Sequence, residues 1–324
     1  MQVIVKRCHC LQAIISYVMD LIQGEDNSPA LHLADSSLLL QFLSSIESCL
    51  DRTAGKHASD MHEAASQVQV LCLACLEAKA TVSYPLQSPV FQAAALVLQR
   101  AFEVSGKPTA HVSVWRVLKL LDGGAGMQYA GLAALLLLLE CHSPVLRRVL
   151  KKHASEVFRK VLASLHSTSM TPSHAQLQAH AAGSLALRCL ESMAAQKADF
   201  RHIGPALHQV TAGISACTHA LGWEVRAAAA DAAVGARDSR VPVVGIVQIV
   251  GACCSLITAL LRHRPEAAEA VAAALPWLSR QWLQCLPPMA TEPGAQDTWR
   301  CDAYPLNTCL LSVCTTSLYM LTMV

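Results

Sequence analysis

The chain has 324 residues, 53% of them hydrophobic and only 15% charged, with a formal charge of +2 from 25 basic and 23 acidic side chains. Average soluble proteins carry about 25% charged residues, so much of the surface must be covered, either by deep layering or by a partner. The near balance of charge excludes a global field for nucleic acid and leaves any such contact to a local patch.

Aromatics make up 5%, while Ala and Leu abound, which favours helices over sheets. The 14 Cys are scattered among apolar residues at helical positions. They read as small hydrophobes in a reducing compartment, not as a disulfide framework.

The opening MQVIVKRCHCLQAIISYVMDLIQ lacks the order of a signal peptide. It predicts a helix over 3–23 that begins abruptly, as in a piece of something longer. Cys8-His9-Cys10 has ligand-like composition, but no second cluster with zinc spacing accompanies it. Helices follow over 36–51 and 58–80. The second carries Cys72 and Cys75 as a C-x-x-C with no second ligand pair and no βα context, so core packing is expected.

Helices over 89–104 and 109–121 come next, then the glycine cluster Gly123-Gly124-Ala125-Gly126, read as a turn because no strand precedes it. The segment 127–141 is apolar nearly all round and predicts a central helix. Over 144–166 the pattern is amphipathic. Leu146, Leu150, Val157, Val161 and Leu165 share one face, and Arg148, Lys152 and Arg159 the opposite one.

With Arg147, Lys151 and Lys160, this basic face is the strongest polar feature of the chain. Arg148, Lys151, Lys152 and Arg159 are therefore the candidate binding residues, facing RNA phosphates or an acidic partner, with a solvated helix face as the plain alternative.

Further helices are expected over 172–197, 203–221, 223–237, 243–263 and 265–285. Ser88-Pro89, Ser143-Pro144 and Thr171-Pro172 each set a capping hydroxyl before a proline at the first helical position. The last two helices fold back on each other at Arg262-His263-Arg264-Pro265. There the cations suit a helix C-terminus.

Residues 287–303 read as a linker from their Pro-Pro and Pro-Gly steps. The apolar tail 304–324 reads as a final packed helix or a misplaced terminus, ahead of a membrane anchor.

No segment alternates polar and apolar residues, so the expected class is all-α. The expected form over 1–286 is an irregular stack of antiparallel helices, a HEAT- or armadillo-like solenoid, with a compact helical bundle as the alternative. The histidines do not converge: His57 and His62, His174 and His180, and His202 and His208 have spacings that suit no shared helix face. No nucleophile elbow, phosphate loop or dinucleotide fingerprint occurs. The chain is therefore expected to be non-enzymatic, with no cofactor, no metal and no small-molecule substrate.

Two segments carry a resemblance. LRCLESMAAQKADFRHIGPALHQVTAGISAC, from Leu187 to Cys217, and CCSLITALLRHRPEAAEAVAAALPWLSRQWLQCL, from Cys253 to Leu286, together resemble the C-terminal domain of the unhealthy-ribosome-biogenesis protein two family. That family comprises nucleolar factors of pre-ribosomal RNA processing. The shared pattern is a helix with L-x-x-L-E and a lysine turn, then an apolar helix, a variable spacer, and a helix ending in an R-H-R turn before another apolar helix. It covers residues 180–286.

The resemblance implies an all-helical nucleolar scaffold in large-subunit assembly. Its partners would be other pre-60S assembly factors, with pre-rRNA a further candidate, and it supplies no catalytic residues. The alternatives are a cytoplasmic helical-repeat adaptor and a protein attached to a membrane through its tail.

Overall fold

The computed structural model describes residues 39–48, 50, 58–79, 89–103, 107–141, 143–168, 176–196, 199–203, 206–215 and 243–284. The expected helices over 3–23 and 223–237, the linker 287–303 and the tail 304–324 lie outside these residues. Among the described residues the chain is all-α, a stack of helices with no strand. It divides into two compact units, Met1–His153 and Ala154–Val324.

In the N-terminal unit, residues 39–48 are helical, followed by α1 (Ala58–Lys79), α2 (Pro89–Glu103), α3 (Lys107–Leu120), α4 (Ala125–Glu140) and α5 (Pro144–Lys152). Hairpin partners pack together, α1 on α2 and α3 on α4. Alternate helices also pack side by side, α1 on α3, α3 on α5 and α2 on α4. Two rows of helices, each touching the next in its own row and its hairpin partner in the other, is the contact pattern of stacked helical hairpins.

Helix α4 sits at the centre. It touches α1, α2, α3 and α5, and Tyr129, Leu132, Leu135 and Leu138 are fully buried. Its all-round apolar sequence needs that position, since any outward face would leave leucines in water. Close approach at the α3–α4 turn depends on Gly131. A Cβ there would come within 2.9 Å of Leu121 Cδ2 and 3.2 Å of the Leu121 backbone nitrogen.

A buried polar link ties the first three helices. Gln69 on α1 donates from Nε2 to the Ala101 carbonyl of α2 at 3.3 Å, and Ser113 Oγ on α3 donates to Gln69 Oε1. All the side-chain atoms of this link belong to buried residues, so each partner avoids the penalty of a dry, unpaired polar group.

In the C-terminal unit, α6 (Ala154–Thr168) packs on α7 (Gln176–Ala195), α7 on α8 (Val243–His263), and α8 on α9 (Ala268–Gln284). Short helical turns at Arg201–Ile203 and Pro265–Ala267 and a helical stretch over 207–215 complete it. The expected fold-back at Arg262–Pro265 is present, with Arg264 as the one non-helical residue between α8 and the turn at Pro265.

Two local expectations are corrected. The helix expected over 144–166 breaks at His153, whose N–H is shared between the Val149 and Leu150 carbonyls at 3.3 and 3.0 Å. The reason lies in the apolar register. Leu146, Val149 and Leu150 are the buried residues of α5, and the same stripe would continue through position 153. The buried stripe of α6 instead starts at Ala154 and runs through Val157, Phe158, Val161, Leu162 and Leu165, one residue out of step.

The second correction concerns Ser143. It precedes Pro144 as expected, but its hydroxyl makes no capping bond. The start of α5 instead uses the Ser143 backbone, which is extended and accepts the Arg147 N–H at 3.1 Å, together with the preset φ of proline. Ser88 and Thr171 lie outside the described residues.

Candidate functional site

The basic candidates occupy two helices. Arg148, Lys151 and Lys152 stand on α5 and are all exposed, while Arg147 sits beside them on the same helix. The three buried positions of α5 are its three core-facing aliphatics, so the cations have no apolar duty. Arg159 is exposed on α6, across the break at His153 and in the other compact unit. Lys160, grouped with these residues by sequence, is buried at 9% exposure. The structure thus gathers Arg148, Lys151 and Lys152 on one short helix and assigns Arg159 to a different element.

Helix α3, packed on α5, has the same one-signed character. KPTAHVSVWRVLKL holds three Lys or Arg and PVLRRVLKK four, with no carboxylate in either. His111 of α3 meets His153 at the end of α5 edge-on, with ring centroids 6.5 Å apart. One turn further along α3 lies Trp115, 60% exposed, with Lys119 Nζ 5.3 Å from its ring centroid. Arg116, between them, has a buried Nη1 without a hydrogen-bond partner.

Sequence reasoning missed Trp115, because a tryptophan inside an apolar-rich segment reads as core. The signal that could have found it was its spacing. His111, Trp115 and Lys119 are four residues apart and form one stripe, while Ala110, Val114 and Val117 are the buried set.

The second basic knot behaves oppositely. Arg262 is exposed, but Arg264 is 2% exposed. Its Nη2 donates to the Phe200 carbonyl at 2.7 Å and its Nε to the Ala194 carbonyl at 3.4 Å, while Glu266 Oε1 lies 4.0 Å from Nη1. Ala194 is in the last turn of α7, whose carbonyls have no helical partner. Burial pulls the guanidinium pKa below its ordinary value, and the Glu266 charge opposes that shift. The expected helix-dipole role at the C-terminus of α8 is therefore incomplete: Arg264 closes the end of a different helix.

Among the described residues the remaining candidates form no reactive constellation. Cys72 and Cys75 are buried on α1, and burial, reinforced by Cys75, pushes the Cys72 thiol well above its ordinary range. Cys141, Cys189, Cys253 and Cys254 are buried thiols outside any disulfide. Gly123 and Gly124 form the expected turn, and no carboxylate or histidine cluster suited to a metal occurs among the described residues. His208 is exposed; Cys8, His9, Cys10, His57 and His174 lie outside the described residues. Among the described residues no helix is long and apolar enough to cross a membrane.

Tyr129, like Arg116, carries a buried polar atom without a partner. Its ring packs on Phe91 with centroids 5.4 Å apart, its hydroxyl is buried without a partner, and burial raises its pKa. No family model, no curated protein and no solved structure matches the chain.

Proposed function

We propose that this chain is a non-enzymatic helical scaffold in large ribosomal subunit assembly, acting in the nucleolus and holding pre-60S assembly factors together with pre-rRNA. The observation that carries this reading is the surface of α3 and α5. Two packed helices with Lys and Arg and no carboxylate within them present exposed cations. Such a surface suits an anionic partner. The choice of ribosome assembly rests on the resemblance over residues 180–286. Among the described residues the buried thiols serve packing, which suits a scaffold.

Purification of the tagged protein from cells, with identification of bound proteins and RNA, tests the reading. Recovery of large-subunit assembly factors and pre-rRNA, with nucleolar fluorescence, is the expected result. A diffuse cytoplasmic signal and a preparation without them would sink it in favour of a general helical-repeat adaptor.

A further inference from the structure

We propose that the α3–α5 surface of the N-terminal unit binds single-stranded RNA, with Trp115 stacking on an unpaired base and Lys119, Arg148 and Lys152 holding the neighbouring phosphates. Two observations lead there. First, most large apolar side chains among the described residues are covered, and Trp115 at 60% is the most exposed of them. A flat indole in water is a stacking platform, and base stacking is indifferent to sequence because every base has a π-face.

Second, the platform sits among cations. Lys119 lies over its ring, and α5, carrying Arg148 and Lys152 in solvent, packs against the same helix. The His111–His153 contact fixes the stripe of α3 beside the end of α5. A polyanion is the complementary charge, and a strand of phosphates and unpaired bases offers partners to both the cations and the aromatic face.

A duplex offers phosphates but keeps its bases stacked on each other, so an exposed ring favours a single strand. The preference for RNA over DNA rests on the ribosome-assembly reading above; the surface itself rests on geometry.

The test is fluorescence anisotropy of the full chain with a short labelled oligouridylate, alongside oligodeoxythymidylate, a duplex RNA and an oligoglutamate peptide. The oligouridylate should bind most tightly. Trp115→Ala should weaken it roughly tenfold while Trp115→Phe keeps most of the affinity. The pair Arg148→Gln and Lys152→Gln should flatten the dependence of log affinity on log salt by about 0.7 for each phosphate no longer neutralised. Circular dichroism should stay that of wild type, since all these side chains are exposed.

Equal affinity of Trp115→Ala and wild type, or equal binding of duplex and single strand, overturns the site. Tighter binding of the peptide overturns it in favour of an acidic protein, and tighter binding of the DNA overturns the choice of RNA. If cells yield pre-rRNA while Trp115→Ala binds normally, this surface is wrong and the ribosome reading stands. If Trp115 is required but no pre-rRNA is recovered, the reverse holds.

Discussion

Two basic clusters of similar composition meet opposite fates. On α5, Arg148, Lys151 and Lys152 all reach solvent. At the end of α8, Arg264 is drawn inside and engaged by the Ala194 and Phe200 carbonyls. What separates them is the supply of acceptors. The end of α7 leaves carbonyls that only a long, multiply donating side chain can reach, and arginine offers a fork of N–H groups on a flexible stem. On a helix face turned to solvent, exposed cations such as Arg148 and Lys152 stay hydrated. A run of Arg and Lys is thus a binding surface or a structural clamp according to what the next helix leaves unsatisfied.

Substitutions can break this contrast, and the largest effect should come from Arg264. Arg264→Met keeps the bulk but takes a donor from each of two carbonyls, and urea unfolding should show a loss of about 3 kcal/mol. Arg264→Lys should recover part of it, with one head group in place of the fork. If Arg264→Met left the unfolding midpoint unchanged, the clamp would be an incidental contact.

In the N-terminal unit, Gly131→Ala should cost about 1–3 kcal/mol, because the new methyl meets Leu121 and backbone at the turn. Gln69→Leu removes the link among α1, α2 and α3 and takes its donor from the Ala101 carbonyl, for about 1–2 kcal/mol. The same unfolding measurement checks both. Smallest of all, Arg148→Gln and Lys152→Gln should move stability by less than about 0.5 kcal/mol, whatever they do to ligand affinity.

Alkali should weaken the N-terminal unit. Burial raises the Cys72, Cys141 and Tyr129 pKa values, all in the N-terminal unit. For each, the folded state prefers the protonated form. For the thiols, the stability this contributes is whole below their ordinary value of 9.0 and is lost as pH rises past it toward the folded value. Hydrogen exchange should therefore show the α1 and α4 amides losing protection above that pH. Iodoacetamide should label Cys72 only as protection is lost, and rapid labelling of the native protein at neutral pH would contradict its burial.

Much of the fold was legible because its signals are local. The all-round apolar run of α4, the prolines opening α2 and α5, and the fold-back after His263 each follow from a few adjacent residues. The break at His153 was not legible. Its cause is a one-residue slip between two buried stripes, and the five aliphatics read from the sequence fit either helix or both. The missing capping bond of Ser143 could not be read either, since a residue type says what can bond and not where its hydroxyl points.

For the candidate site, the cations of α5 could be read from charge pattern alone. Trp115 could not be set beside them, because the packing of α3 on α5 joins positions far apart in the chain. Arg264 escaped for the same reason, as its acceptors lie 64 and 70 residues away.

Helix α4 also has a consequence for synthesis. Among the described helices that pack most on it, α1, α2 and α3 precede it in the chain, and α5 follows after only a few residues. At about 5–20 residues per second of translation, the ribosome releases this leucine-rich helix when most of its covering is already outside the tunnel. Moving the same sequence to the beginning of the unit would leave it bare for several seconds, long enough to find another nascent chain.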